Sequence, residues 1–385
     1  MKKTIVGAAV LGAFAVSAQA QSSVTLYGLI DAGLIYSNNQ SGHSAWQESS
    51  GALSNTVFGL KGTEDLGGGL RAIFKLESGF NINNGRLFYT NTIFGRQAYV
   101  GLQSDQYGTL TLGRQYDSVV DYLGPISSAN FGDGNNLAAH PFDNDNLDDF
   151  FSVNNAVKYA SPTYAGFQFG GLYAFSNQAG GFATNRAYSL GATYNNGPLN
   201  VAAAYLELNN AGGGPLGTNP NNGAVELQNG DANFIAQRQR VWGVGGNYAF
   251  GPATVGLLWT HSMFDNTTGV LGGAFAVPNA NLHLDNYEVN GRYALTPALT
   301  LAGTYTFTNG EYSSASGGAK PKWHQVTLQT DYSLSKRTDV YLEGVYQHAS
   351  SGPAGSVFAH AVINGLSPSS TNNQVAATVG IRHRF

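Results

Sequence analysis

The stretch Gln374-Val-Ala-Ala-Thr-Val-Gly-Ile-Arg-His-Arg-Phe385 alternates with a period of two. Val375, Ala377, Val379, Ile381 and Phe385 interleave with Gln374, Ala376, Thr378, Gly380, Arg382 and Arg384. Successive side chains of a strand point to opposite sides, so the segment reads as a strand with one apolar and one hydrated face. An aromatic on the apolar face at the very end is unusual for a soluble domain and points to lipid.

The opposite end of the sequence supplies an address. Lys2 and Lys3 precede an apolar run from Ile5 to Val16 and then Ala18-Gln19-Ala20. A basic start, an apolar core too short to span a bilayer and an A-x-A site are the parts of an export signal. Residues 1–20 are therefore expected to be removed, leaving 21–385 as the mature barrel.

Composition agrees. No apolar stretch is long enough for a membrane helix, yet Tyr and Phe number 21 each and Gly 51, so the chain is poor in helix formers and rich in turn residues. A formal charge of −4 argues against nucleic acid as a partner. With no cysteine, the chain has neither disulfides nor thiolate chemistry.

Turn signals then divide the chain regularly. Short breaks fall at 64–69, 104–108, 161–166, 195–198, 251–252, 296–297 and 333–336. Longer polar stretches lie near 38–51, 81–91, 118–152, 176–184, 209–236, 265–281, 310–320 and 350–373. Seven short and eight long connections imply sixteen strands, mostly of a length that crosses a bilayer when tilted. The fold expected is all-β: a sixteen-stranded antiparallel transmembrane β-barrel. A soluble sandwich or propeller would also alternate, but the short/long rhythm and the aromatics near strand ends favour the barrel.

Sixteen strands enclose more space than wall side chains can fill. The longest early loop, 118–152, carries Asp121, Asp133, Asp143, Asp145, Asp148 and Asp149 with no Lys or Arg. Its apolar residues Val119, Tyr122, Leu123, Ile126, Phe131 and Phe142 are anchors a solvated loop does not need, so it is expected to fold into the lumen as a constriction. Lys61, Arg71, Lys75, Glu77 and Lys158 sit on the inward parity of neighbouring strands. Acidic loop facing basic wall would set up a transverse field across the pore. Arg96 and Arg114 share parity with apolar neighbours, and a mid-bilayer Arg costs about 2–4 kcal/mol, so either a bulge turns them or they lie beyond the apolar band.

Several motifs in order carry a family resemblance: SSVTLYGLIDAGL from Ser22, FGLKGTEDLGGGLRAIFKLESGF from Phe58, FGRQAYVGL from Phe94, GTLTLGRQYDS from Gly108, NNAVKYASPTYAGF from Asn154 and VGIRHRF. Together they resemble the trimeric general porins of Gram-negative outer membranes, of beta-proteobacterial type. The resemblance implies a homotrimer, a third loop folded into the pore, and passive diffusion of ions and small hydrophilic solutes. It also implies outer-membrane lipids as surroundings and Phe385 as the signal read by the barrel-assembly machinery. Lys61, Arg96 and Arg114 match basic pore positions of the family, whereas Val57 and Ser152 stand where arginines are common. Six loop aspartates against a thinned basic wall lead to an expectation of weak, cation-leaning selectivity. Small residues Gly28, Ala32 and Gly33 of the first strand offer a flat patch for subunit contact.

Other chemistry finds little footing. Asp143-Asn-Asp-Asn-Leu-Asp148 invites a calcium reading, but the EF-hand frame fails from either start. Histidines are scattered without metal spacing, and no nucleophile elbow, P-loop or dinucleotide motif is present. No cofactor, metal or enzymatic activity is expected. A substrate-specific channel and a non-conducting surface barrel remain as alternatives.

Overall fold

Hydrocarbon offers no hydrogen bonds, so strands that cross it must pair every backbone group, and only a closed sheet does so. The computed structural model describes residues 23–89, 92–131, 136–209, 223–226, 233–271 and 273–385. Residues 1–20, read as the export signal, and Asp133 lie outside them.

Sixteen antiparallel wall strands follow in order. They are β1 (Ser23–Gln40), β2 in two pieces (His43–Ser50 and Val57–Gly67), β3 (Leu70–Gly79), β4 (Gln97–Ser104), β5 (Gly108–Gln115) and β6 (Val153–Ala160). Next come β7 (Phe167–Ala174), β8 (Arg186–Asn196), β9 (Leu199–Asn209), β10 (Arg238–Phe250) and β11 (Ala253–Val270). The series ends with β12 (Phe275–Ala294), β13 (Leu299–Ser314), β14 (Lys322–Ser333), β15 (Thr338–Ser350) and β16 (Asn373–Arg384). Closure comes from β16 on β1, in register from Leu29 opposite Arg384 to Ser37 opposite Ala376. Outward Leu34, Val100, Leu257, Leu328 and Val379 are exposed, as a lipid-facing band requires.

All seven short turns fall where the sequence places them. Three of the long connections do not remain loops: β1 runs to Gln40 and its partner resumes at His43, β11 and β12 extend to Val270 and Phe275, and β13 reaches Ser314. Polar residues mark a loop only while the strand is in lipid. Beyond the bilayer the same Thr, Asn and Ser side chains continue the ladder in water.

The closing seam is tight. Gly28 donates its backbone N–H to the Phe385 carbonyl (3.1 Å) and accepts from Phe385 N–H (3.0 Å). A Cβ on Gly28 would lie 2.3 Å from the Phe385 ring, so only glycine fits beneath it. This corrects the flat-patch expectation: Gly28 is covered by Phe385, and Gly33 faces inward against Ala52 and the Tyr341 hydroxyl.

Part of the inner wall is apolar, against the expectation of a hydrated lumen throughout. Inward Ala202, Leu206, Val241 and Leu258 pack on Val119, Leu123 and Ile126 of the third loop. Farther round, Phe264, Leu284 and Trp323 pack on Phe142 of that loop and on Phe358 and Val362 of the eighth. Each fully buried Leu, Ile or Phe contributes roughly 1.5–3 kcal/mol, which favours docked loops over solvated ones. The inner face of β8 makes room with Gly191, where a Cβ would meet the Tyr122 ring at 2.3 Å.

Substituting Gly28→Leu should overpack the seam, lowering the urea midpoint of refolded protein by the equivalent of about 1–3 kcal/mol. An unchanged midpoint would contradict the seam described.

Candidate functional site

The site begins with an interruption in β2. Asp31, inward on β1, accepts from the backbone N–H of Leu53 (3.0 Å) and Ser54 (2.7 Å) and from the Tyr341 hydroxyl (2.5 Å). Its own backbone exchanges hydrogen bonds with the Thr56 hydroxyl (3.1 and 3.0 Å). These bonds hold 51–56 as an inserted segment between the two pieces of β2 and set Asn55 in the lumen. No residue-type signal marks Asn55 in advance, because the break depends on Asp31, twenty-odd positions away in sequence.

Opposite the insert, the third loop crosses to the far wall. His140 Nδ1 lies 2.7 Å from Asp145 and its Nε2 3.0 Å from Glu288 of β12. Burial alone would favour the neutral imidazole, but Asp145 and Glu288 outweigh it and raise the His140 pKa to about 10. Ser128 donates to Glu288 through both its N–H (2.8 Å) and hydroxyl (2.7 Å). Asn286 Nδ2 donates to Asn144 (2.9 Å), and Gln325 Nε2 to the carbonyls of Ala138 and Ala139 (2.9 and 3.1 Å). Glu288, Asn286 and Gln325 were absent from the sequence-based site because partners of a loop across a barrel leave no trace in spacing.

Between insert and loop runs a string of alternating charge. Lys75 Nζ lies 3.0 Å from Glu77, Glu77 lies 3.2 Å from Arg96, and Arg96 lies 2.9 Å from Asp149. Asn55 Nδ2 donates to the other Asp149 oxygen at 3.1 Å, and Tyr27 donates its hydroxyl to Glu77 at 2.8 Å. Arg96 also lies over the Tyr116 ring. Burial opposes its charge, but the acidic neighbours prevail and raise its pKa further.

Two cavities meet at this string. One, of about 450 Å3, opens toward the short-turn end and is lined by Tyr27, Lys75, Glu77, Tyr116 and Arg384. The other, of about 540 Å3, opens toward the long loops beside Ser49, Tyr89, Phe150 and Gly365. Asn55, Arg96 and Asp149 line both.

The remaining sequence-predicted residues divide by position. Lys61 is exposed on the inner wall with its ammonium 5.2 Å from the Tyr27 ring centre. Lys158 pairs with Asp121 and donates to the Tyr116 carbonyl (2.9 Å). Arg71 is occupied at the short-turn end by Asp105 (2.8 and 3.2 Å), away from the string. Arg114 keeps the outward parity of Leu110 and Leu112. At the loop end of β5, beyond the apolar band, it reaches Gly95 O (2.5 Å) and Asn154 Oδ1 (2.6 Å) under Tyr89.

Asp143 and Asp145 are buried rather than turned to the lumen, and Asp148, also buried, borders the loop-end cavity. Asp145 caps His140 and accepts from Thr260 (2.5 Å), Asp143 accepts from Asp148 N–H (3.1 Å), and Asp148 accepts from Asn136 N–H (3.0 Å) and Asn364 (2.8 Å). Their burial removes the premise of the cation-leaning expectation. Ser152 is also buried and bonds the Arg96 carbonyl (2.6 Å). Among the described residues no acidic or histidine cluster has metal-site geometry.

Comparison with known proteins decides the family. Residues 7–352 match the model of the Gram-negative porins. The chain belongs to the Gram-negative porin family. It is 33% identical to an outer membrane porin protein of Bordetella pertussis over the whole length of both chains. Outer membrane porin protein 32 of Delftia acidovorans is 29% identical, again over the whole of both. Among solved structures, an anion-selective porin from Comamonas acidovorans superposes with a TM-score of 0.70 at 23% identity, covering 94% of this chain and 100% of that one. This porin is accordingly an outer-membrane channel for passive diffusion of small hydrophilic solutes.

Burial first, then Asp145 and Asp149, raises the Asp143 carboxyl to about 8, and burial with Asp143 and Asp149 raises Asp148 as well. A folded-state pKa above the unfolded value of 3.8 contributes stability that is complete below about 4 and lost as pH rises through about 8. Melting temperature should therefore fall between pH 4 and 8, and fall less in Asp148→Asn, which keeps the acceptor oxygen and removes one charge. Parallel pH profiles for the two proteins would refute this.

Proposed function

We propose that the channel is a homotrimer whose narrowest section in each subunit lies at Asn55, Arg96 and Asp149, with 118–152 as the constricting loop. The single observation carrying this reading is that these three residues line both cavities. Solutes pass along the β1–β5 side, because the opposite side of the lumen is filled by the third and eighth loops, held by apolar packing and by the Glu288, Asn286 and Gln325 hydrogen bonds. Passage is by diffusion, without a catalytic step.

Selectivity follows from the charges that remain on the surface. Lys75, Glu77, Arg96 and Asp149 balance, and Arg384, which lines the same cavity, is paired with Asp339 at 2.8 Å. Lys61 adds one positive charge just below. The pore is weakly selective and leans to anions, because the pairing of the other charges leaves Lys61 in excess.

Reversal potentials across planar bilayers under a KCl gradient test this. Wild type should favour chloride modestly. Arg96→Ala should raise single-channel conductance and move the permeability ratio toward potassium by about fivefold, the effect of ~1 kcal/mol for one unit charge at 4 Å in water. Closure in three equal steps is expected of the trimer. A strong potassium preference in wild type, or an Arg96→Ala channel unchanged in both conductance and ratio, would overturn the placement.

A further inference from the structure

Glu343, on the inner face of β15, is completely buried, and neither of its carboxylate oxygens has a hydrogen-bond partner. It stands between Gln329 of β14 and Thr378 of β16, each directly opposite it in register. Directly opposed residues hold their Cβ atoms about 4.5–5.5 Å apart, so these two side chains flank the carboxylate. Gln329 Oε1 and Thr378 Oγ1 are buried and unpartnered as well. Gln329 cannot serve Glu343 by turning its amide over. Its Nε2 donates to the Phe131 carbonyl (3.1 Å) and to Asp331 (2.5 Å), and the flipped amide would set oxygen against both acceptors.

The surroundings do not supply the missing charge. Ile35, Tyr341, Val345 and, from the third loop, Leu137 belong to one apolar cluster at this level of the wall. A carboxylate buried in such a place is tolerated only when a positive charge or donors compensate it. Arg382, on the neighbouring strand, is committed to Asp331 (2.8 Å), Asp339 (2.7 Å) and Ser54 (2.9 Å). Arg384 is paired with Asp339 (2.8 Å), and Arg292 lies over the Phe131 ring. Among the described residues, Asp31, Asp331, Asp339 and Glu343 thus stand against Arg292, Arg382 and Arg384. One positive charge is lacking.

We propose that Glu343, Gln329 and Thr378 bind one sodium ion between the barrel wall and the third loop. Carboxylate, amide and hydroxyl oxygens are ligands for a hard cation. Calcium takes about 6–8 oxygens, commonly with several carboxylates, whereas this site offers a single carboxylate, one amide oxygen and one hydroxyl. A monovalent ion completes the charge count and a divalent one exceeds it. Bound there, the ion ties β14, β15 and β16 together beside the point where Gln329 holds the loop at Phe131.

Thermal unfolding of the refolded, detergent-solubilised porin in sodium chloride and in N-methylglucamine chloride of equal ionic strength tests the proposal. Wild type should melt roughly 2 °C higher in sodium, the shift expected of a ligand at about ten times its Kd. Glu343→Gln should melt equally in the two salts, while its single-channel conductance stays at the wild-type value because Glu343 lines neither pore cavity. Thr378→Val, which keeps the charge, should lose most of the sodium increment, and Thr378→Ser should retain it. Equal melting of wild type in the two salts, as a protonated Glu343 would give, would overturn the proposal. So would an undiminished increment in Glu343→Gln, or the same increment from micromolar calcium in sodium-free buffer.

Discussion

A protonated imidazole held between two carboxylates, His140 between Asp145 and Glu288, ties the third loop to the far wall of the barrel. Removing one member would strand a buried charge, at a cost of about 3–5 kcal/mol. Glu288 also accepts both hydrogen bonds of Ser128, so one wall carboxylate anchors two separate turns of the loop. With the loop pinned there, Asp149 arrives opposite Arg96, and the lumen divides into two vestibules.

The pore is consequently eccentric. Apolar side chains on the inner faces of β9–β14 would be unfavourable in a water-filled tube, and they are satisfied by the third and eighth loops. Water is left to the side lined by Tyr27, Lys75, Glu77 and Arg384. The two loops also touch: Asn364 of the eighth donates to Asp148 and to the Asn136 carbonyl of the third. The proposed constriction is thus the edge of a packed interior rather than a flap in solvent. Its charge pairs are short and mutually satisfied, which is the physical basis of the weak preference proposed above.

What could be read from the sequence follows from what alternation encodes. A period of two reports which side of a strand a residue faces, so the lipid-facing band, the seven turns and inward Lys61, Lys75, Glu77 and Lys158 were legible. The third loop has no such period. Phe142, Asp143, Asn146 and Asp149 all adopt positive φ, a backbone path that spacing cannot forecast. Its aspartates accordingly looked equivalent, whereas Asp149 faces the pore and Asp143, Asp145 and Asp148 hold the loop together. Arg114 shows the same limit differently, since parity placed it correctly on the outer side and only the strand's end position shows how it avoids lipid.

The account stands on the third loop being fixed across the lumen, and the absence of native cysteine makes this directly measurable. Asn144 of the loop and Asn286 of β12 are hydrogen-bonded at 2.9 Å. In a porin carrying Asn144→Cys and Asn286→Cys, a short bifunctional thiol reagent should join the pair rapidly, and the cross-linked channel should conduct like its uncross-linked form. Failure to cross-link, or a conductance altered by the link, would show that the loop rests elsewhere.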